Sequence, residues 1–159
     1  MPDSLHITTH SGQIESGDSL YDCKGSPELV AAFEKRAIKI ACSENEVLFN
    51  DGEPGKCVYL ILAGEIRLFL PLEPLDRGFS AGIGSFVGLP AAFSNEKYSM
   101  SAIAQKGTQV AAMSRDKLCD LVAADPVLAL DVLRILAAET RAARIAIVES
   151  GFAQHRQIR

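Results

Sequence analysis

Hydrophobic residues recur along the chain with two different periods, and the period changes near residue 38. Leu29, Val30 and Phe33 follow helical spacing, and Ser26-Pro27 provides an N-cap and a proline at the first helical position. From Ile38 onwards, short apolar or alternating runs are separated by turn residues, which is typical of half-buried strands. The pattern predicts a helix to about Arg36, followed by a series of short strands.

Short strand-like segments follow one another after this helix, and each is bounded by turn residues. Residues 71–80, with two prolines and a glycine, predict a loop, and Phe86-Val87 lies between glycines. Strands at such intervals predict an antiparallel sandwich or roll with one face of each strand buried. The predicted strands are 38–40, 46–49, 58–62, 66–70, 99–104 and 110–113.

Two further helices are predicted towards the C-terminus. Ser114 resembles an N-cap, and Asp125-Pro126 starts a second helix that contains no Gly or Pro before about Glu149. An a/d-type seam on this long helix predicts a homodimer, and packing of the helix on its own domain is the alternative. The seam residues are Leu133, Leu136, Thr140, Ala143 and Ile147.

Composition places these elements in one globular domain. The chain has 159 residues, of which 48% are hydrophobic and 23% charged. It divides into a polar leader (1–25), a strand-rich segment with its N-terminal helix (26–125), the long helix (126–150) and a tail (151–159). The leader has no apolar signal region, and the longest apolar run is too short to cross a bilayer. We therefore expect a cytoplasmic protein with no membrane partner.

Cysteine and histidine positions bear on metal and catalytic chemistry. The four cysteines form no CxxC pair, and no histidine occurs between residues 11 and 154. A metal centre inside the strands would need such ligands, and a Cys-His nucleophile would need both partners. His6 and His10, four residues apart, lie in a segment without a helical pattern. We expect no metal, no cofactor and no enzymatic activity.

Three motifs in sequence order resemble the cyclic-nucleotide-binding domain of Crp/Fnr-type regulators. The segment 51–66 (DGEPGKCVYLILAGEI) resembles its first half, and 84–88 (GSFVG) resembles the step that opens its phosphate-binding cassette. Residues 110–136 resemble the closing strand and the helices that lead to the dimer interface. The resemblance covers residues 26–149. It implies a mainly β fold with flanking helices, in which a β-roll (jelly roll) precedes a long C-terminal dimerisation helix.

The cassette departs from the family at both of its charged anchors. Nucleotide-binding members have a carboxylate for the ribose and, about ten residues later, an arginine for the phosphate. The resemblance aligns these positions with Leu89 and Tyr98. Loss of two charge-assisted hydrogen bonds weakens binding by orders of magnitude. Lys97 becomes a substitute cation if the strand shifts by one residue. The predicted pocket residues are Phe86, Val87, Gly88, Leu89, Pro90, Ala91, Lys97, Tyr98 and Ser99.

We therefore expect a stand-alone regulatory domain with an apolar pocket for another small molecule. The part of the long helix that touches the base in nucleotide-binding members aligns near Ala146 and Ile147, which are apolar. Two alternatives are a ligand-free protein that modulates a full-length regulator, and cyclic nucleotide binding through a non-standard cassette. The chain ends soon after the long helix, and its net charge is −4, so we expect no helix-turn-helix domain and no DNA binding.

Overall fold

A computed structural model of the chain describes residues 23–71 and 78–156. The segment 1–22, with most of the predicted leader and both His6 and His10, lies outside the described residues, as does 157–159. The described chain forms two four-stranded antiparallel sheets with helices around them, which confirms the predicted mainly β fold with flanking helices.

Two sheets of four strands contain every strand of the described chain. In strand numbers the orders are β1-β8-β3-β6 and β2-β7-β4-β5, so most neighbours are far apart in sequence, as in a jelly roll. The strands are β1 (Ile38–Ala41), β2 (Val47–Phe49), β3 (Cys57–Ala63), β4 (Ile66–Phe69), β5 (Phe79–Ala81), β6 (Phe86–Val87), β7 (Ser101–Ala104) and β8 (Gln109–Ser114).

Three of the four described helices begin at the caps that the sequence predicts, and α2 begins after Gly88 without a side-chain cap. The Ser26 hydroxyl accepts a hydrogen bond from the Leu29 amide at 3.1 Å and so starts the first helix. The Ser114 hydroxyl accepts from the Lys117 amide at 3.4 Å. The Asp125 carboxylate accepts from an amide of the first turn of the last helix. The helices are α1 (Pro27–Glu34), α2 (Leu89–Ser94), α3 (Arg115–Ala124) and α4 (Pro126–Arg156).

Three features differ from the predicted elements. Helix α4 continues past Glu149, because the Gly151 within it costs only about 1 kcal/mol and keeps its amide donor. The predicted loop 71–80 is wrong at its end, where Phe79 begins β5 and pairs with β4. The prediction of one buried face is wrong for β1, in which all four residues are exposed and Ile38 retains 66% of its surface. Among the described strands, β1 pairs with β8 alone and forms a sheet edge.

The hydrophobic core lies between the sheets and beneath α1, α3 and α4. Phe33 of α1 meets Phe86 of β6 edge to face at a centroid distance of 5.1 Å. Gly64, in the turn between β3 and β4, has a φ of +76°, and an added Cβ would lie 2.6 Å from the Thr108 Cα. The turn therefore requires glycine for its backbone angle and for space. In the described parts of the chain, no helix is long and apolar enough to span a bilayer.

Candidate functional site

A cavity of about 130 Å³ lies between helix α2, the segment 96–100 that precedes β7, and strands β2 and β4. The long helix α4 also lines it. Its apolar wall is formed by Phe49, Leu68, Pro90, Ala91 and Met100. Gly88, Tyr98 and Glu139 complete the buried part of its lining, and the exposed residues Ser94, Glu96, Lys97 and Ser99 lie around its mouth.

Gly88 allows the chain to turn from β6 into α2 at the cavity floor. Its φ is +82°, and an added Cβ would lie 3.0 Å from the Tyr98 ring and 3.1 Å from the Cys57 carbonyl oxygen. The next residue, Leu89, is only 1% exposed and belongs to the hydrophobic core. The family resemblance implies a carboxylate at position 89, but the Leu89 side chain is part of the hydrophobic core.

The Tyr98 hydroxyl is bonded to the backbone of β3. It donates to the Cys57 carbonyl oxygen at 2.7 Å and accepts from the Cys57 amide at 3.1 Å. Its ring stacks on Phe49, with centroids 3.8 Å apart and ring planes at 14°. Burial raises the pKa of Tyr98, so the phenol stays protonated at neutral pH. At the position expected for arginine, the hydroxyl joins the segment before β7 to the start of β3, and the ring lines the cavity.

Glu139 is a cavity residue that the sequence analysis missed. It is 5% exposed and is the residue of α4 that lines the cavity. It belongs to the buried stripe of α4, which also contains Leu128, Asp131, Val132, Ile135 and Ala142. These residues have helical spacing, so the sequence pattern could have placed Glu139 on the buried face of the helix. The sequence prediction had placed the contribution of this helix near Ala146 and Ile147, whose side chains lie outside the described residues.

The structure brings together six of the nine predicted pocket residues. The cavity lining includes Gly88, Pro90, Ala91, Lys97, Tyr98 and Ser99. The other three, Phe86, Val87 and Leu89, are at most 1% exposed and lie in the core rather than at the cavity. Phe86 packs against α1, because the β6 side chains that face α1 continue the core. In this short segment, Gly88 and Pro90 therefore line the cavity, whereas Phe86, Val87 and Leu89 belong to the hydrophobic core.

The predicted dimer seam lies partly on the surface of α4. Leu133 is 59% exposed, Leu136 is half-buried and Thr140 is exposed. The Thr140 hydroxyl donates to the Leu136 carbonyl oxygen at 2.9 Å within the helix. The side chains of Ala143 and Ile147 lie outside the described residues. Val127 and Leu130 are also exposed, so the first turns of α4 present an apolar surface.

Two other features complete the chemical inventory of the described chain. A wider, more open depression of about 880 Å³ is lined by three cations and two acids, which are Lys56, Lys97, Arg115, Glu96 and Asp116. Its mixed charge favours no single class of ligand. The four cysteines, which all lie among the described residues, form no disulfide bond. Within 23–71 and 78–156, no three or more His, Cys, Asp or Glu side chains come together as a metal site.

Comparison with known proteins places the fold among cyclic nucleotide-binding domains. A sequence model described as the cyclic nucleotide-binding domain matches residues 39–125. The Thermus thermophilus catabolite activator protein is 24% identical, with a TM-score of 0.66 over 80% of this chain and 61% of that chain. A cyclic nucleotide-binding domain from Methylobacillus flagellatus is 27% identical, with a TM-score of 0.61 over 79% of this chain and 74% of that chain.

A more distant structure extends the comparison. The c-di-GMP-responsive global regulator of Xanthomonas campestris is 19% identical, with a TM-score of 0.60 over 82% of this chain and 64% of that chain. The present chain therefore spans less than two thirds of the length of the Thermus and Xanthomonas proteins. Among curated proteins, no sequence matches it significantly. These matches confirm the resemblance drawn from the motifs at 51–66 and 84–88.

Proposed function

This chain belongs to the cyclic nucleotide-binding domain family, and we propose that it is a regulatory domain that senses a small molecule other than a cyclic nucleotide. One observation carries the proposal: both anchor positions of the cassette are engaged in the fold. Leu89 is buried in the core, and the Tyr98 hydroxyl makes two hydrogen bonds to the Cys57 backbone. Neither side chain has a charged group for ribose or phosphate.

The size of the cavity supports the same proposal. The cavity of about 130 Å³ is smaller than the roughly 300 Å³ at which pockets for drug-sized ligands begin. The family fold itself does not fix the ligand, since function depends on the residues of the site. The related Xanthomonas regulator is described as c-di-GMP responsive.

Calorimetric titration with cyclic AMP, cyclic GMP and c-di-GMP tests this proposal directly. We expect no binding at micromolar concentrations. Micromolar binding of cyclic AMP would overturn the proposal and favour a non-standard cassette. In that case Lys97→Ala would identify the substitute cation, because Lys97 is the cation at the mouth of the cavity. Loss of binding in that variant would assign the phosphate contact to Lys97.

We further propose that the domain forms a homodimer through α4 and that ligand binding shifts this helix. The apolar surface at Val127, Leu130 and Leu133 supports the pairing, and Glu139 of the same helix lines the cavity. A ligand that binds one helix position better than another would shift the equilibrium between them. Leu133→Glu should convert the dimer to a monomer in analytical ultracentrifugation, whereas Arg141→Glu, which alters an exposed residue of the same helix, should not.

The alternative function is a ligand-free protein that pairs with a full-length regulator through the same helix surface. The exposed leucines of α4 favour it, since they suit a heterodimer as well as a homodimer. It differs from the sensor in one measurable respect. A purely interacting protein keeps the same dimerisation constant when small molecules are added, whereas a sensor changes it when its ligand binds.

A further inference from the structure

A second aromatic-lined space adjoins the cavity and is larger than it. This space, called the Tyr59 depression below, has a volume of about 340 Å³. Its lining includes Leu48, Phe49, Glu53, Lys56, Tyr59 and Tyr98. Phe49 and Tyr98 also line the cavity of about 130 Å³, so the two spaces share one pair of rings. The Tyr59 depression falls within the size range of pockets for small molecules, which begins at roughly 300 Å³.

Three aromatic rings contribute to the Tyr59 depression. The Phe49 ring stacks on Tyr98 and lies beside Tyr59, with centroids 3.8 Å and 6.0 Å apart. Phe49 and Tyr98 are almost fully buried, whereas Tyr59 is half-buried and has the most free surface of the three. Aromatic rings pack favourably against other rings in stacked or edge-to-face geometry. The lining is therefore suited to a flat aromatic molecule.

The Tyr59 hydroxyl differs from the Tyr98 hydroxyl in its hydrogen bonding. The Tyr98 hydroxyl makes two hydrogen bonds to the Cys57 backbone, but the Tyr59 hydroxyl makes none with another described residue. Tyrosine hydroxyls usually have a hydrogen-bond partner when they are buried. Burial raises the pKa of Tyr59 to about 12, so the phenol is neutral at pH 7 and can both donate and accept. It is thus available for one neutral hydrogen bond to a ligand.

The charges around the Tyr59 depression favour neither sign of ligand. Glu53 and Lys56 have opposite charges, and both are exposed, where solvent screens them. The Glu53 carboxylate also accepts a hydrogen bond from the Asn50 side-chain amide at 2.8 Å. A charged ligand would lose hydration against the apolar rings without a buried counter-charge among these residues. The lining therefore favours a neutral molecule.

We propose that the Tyr59 depression binds a neutral, flat aromatic molecule of about two fused rings that carries one hydrogen-bonding group. The ring system packs against Tyr59, Phe49 and Leu48, and its polar group bonds to the Tyr59 hydroxyl. The size follows from the volume, because a cavity of roughly 150 Å³ holds one benzene molecule. This site is separate from the cavity at Gly88, so the assignment does not depend on whether that cavity binds a cyclic nucleotide.

Indole and 1-methylindole test the assignment on the unaltered protein. They share one ring system, but only indole has an N–H donor for the Tyr59 oxygen. The chain contains no tryptophan, so the fluorescence of the indole ring reports on the probe alone. Indole should bind about two- to ten-fold more tightly than 1-methylindole, the gain expected for one neutral hydrogen bond. The extra methyl group of 1-methylindole would reverse this order if burial of apolar surface alone decided binding.

The anion indole-3-carboxylate should bind more weakly than indole. Equal or tighter binding of 1-methylindole, preferential binding of the carboxylate or no binding of any probe would each overturn the proposal.

Two matched variants identify the hydroxyl that is responsible. Tyr59→Phe keeps the ring and removes the unbonded hydroxyl, so the preference for indole over 1-methylindole should disappear. Tyr98→Phe makes the same change at a hydroxyl that is already bonded to the Cys57 backbone, and should leave the preference within about two-fold. A preference that persists in Tyr59→Phe would overturn the assignment.

Amide chemical shifts locate the probe on the unaltered protein and decide the case if a variant fails to fold. Leu48, Cys57 and Tyr59 line the Tyr59 depression but not the smaller cavity. Leu68 and Met100 line the smaller cavity but not the Tyr59 depression. Indole should shift the first group most. Larger shifts at Leu68 and Met100 would place indole in the smaller cavity and overturn the assignment.

Discussion

Replacing Tyr98 by phenylalanine removes one oxygen atom and separates its two roles. The ring can keep its stacking on Phe49, because the substitution leaves the aromatic carbons in place. The hydroxyl, however, both donates to the Cys57 carbonyl oxygen and accepts from the Cys57 amide. Tyr98→Phe therefore removes two hydrogen bonds between the segment that precedes β7 and the start of β3, and leaves the apolar lining of the cavity nearly unchanged.

The expected loss of stability follows from these two contacts. A typical hydrogen bond contributes a net 0.5–1.5 kcal/mol, so the pair accounts for about 1–3 kcal/mol of the free energy of unfolding. A protein of this size loses about 2–4 °C in Tm per kcal/mol. The upper end of the range applies if the Cys57 backbone groups gain no water in place of the hydroxyl.

Urea unfolding followed by circular dichroism measures this loss. Tyr59→Phe is the matched control: Tyr59 also lies beside Phe49, and its hydroxyl makes no hydrogen bond with another described residue. It should lower the free energy of unfolding by less than Tyr98→Phe does. An unchanged urea midpoint in Tyr98→Phe would refute the reasoning.

Three further predictions concern the fold around the site. Gly64→Ala should lower the free energy of unfolding more than Gly52→Ala does. Both glycines have positive φ, but only at Gly64 does the new methyl group meet backbone atoms. Equal urea midpoints of the two variants would contradict this steric clash. Burial raises the pKa of Tyr59 from 10.0 to about 12, so the native state favours the protonated phenol. The free energy of unfolding should therefore be retained below pH 10 and fall towards pH 12. Urea midpoints measured across that range should fall less steeply in Tyr59→Phe. Ser26→Ala should cost about 1–2 kcal/mol, because the hydroxyl caps α1 and donates to Asp131 of α4, and Ser26→Thr should recover part of this loss in the same unfolding assay.

Local sequence signals predicted the fold because each acts over a few residues. The caps at Ser26, Ser114 and Asp125 satisfy backbone amides of their own helices, so their effect does not depend on distant packing. The turn at Gly64 could be predicted for a similar reason, since the positive φ of a turn depends on the residues of the turn itself. In contrast, the exposure of Ile38 depends on which elements cover a strand. Alternation along β1 could not reveal that it is a sheet edge.

The candidate site was harder to predict because it joins groups that are distant in the sequence. The motif around Gly88 predicted residues that line one wall of the cavity. The direction of the Tyr98 hydroxyl depends on Cys57, which begins β3 and lies 41 residues away in the sequence. Glu139 becomes a cavity residue only because α4 packs its buried stripe against the roll. Spacing alone predicted the seam at Leu133 and Leu136. The buried face of the helix contains the residues that precede them, Val132 and Ile135.

The residues of the cavity explain why the family fold does not by itself name the ligand. At the two positions that the family resemblance aligns with charged anchors, Leu89 is packed in the core and the Tyr98 hydroxyl is bonded to the Cys57 backbone. Both contacts belong to the fold, so they stabilise the domain whether or not the cavity is occupied. The selection of a ligand must therefore come from the other residues that line the cavity, and the titrations with cyclic nucleotides test this consequence directly.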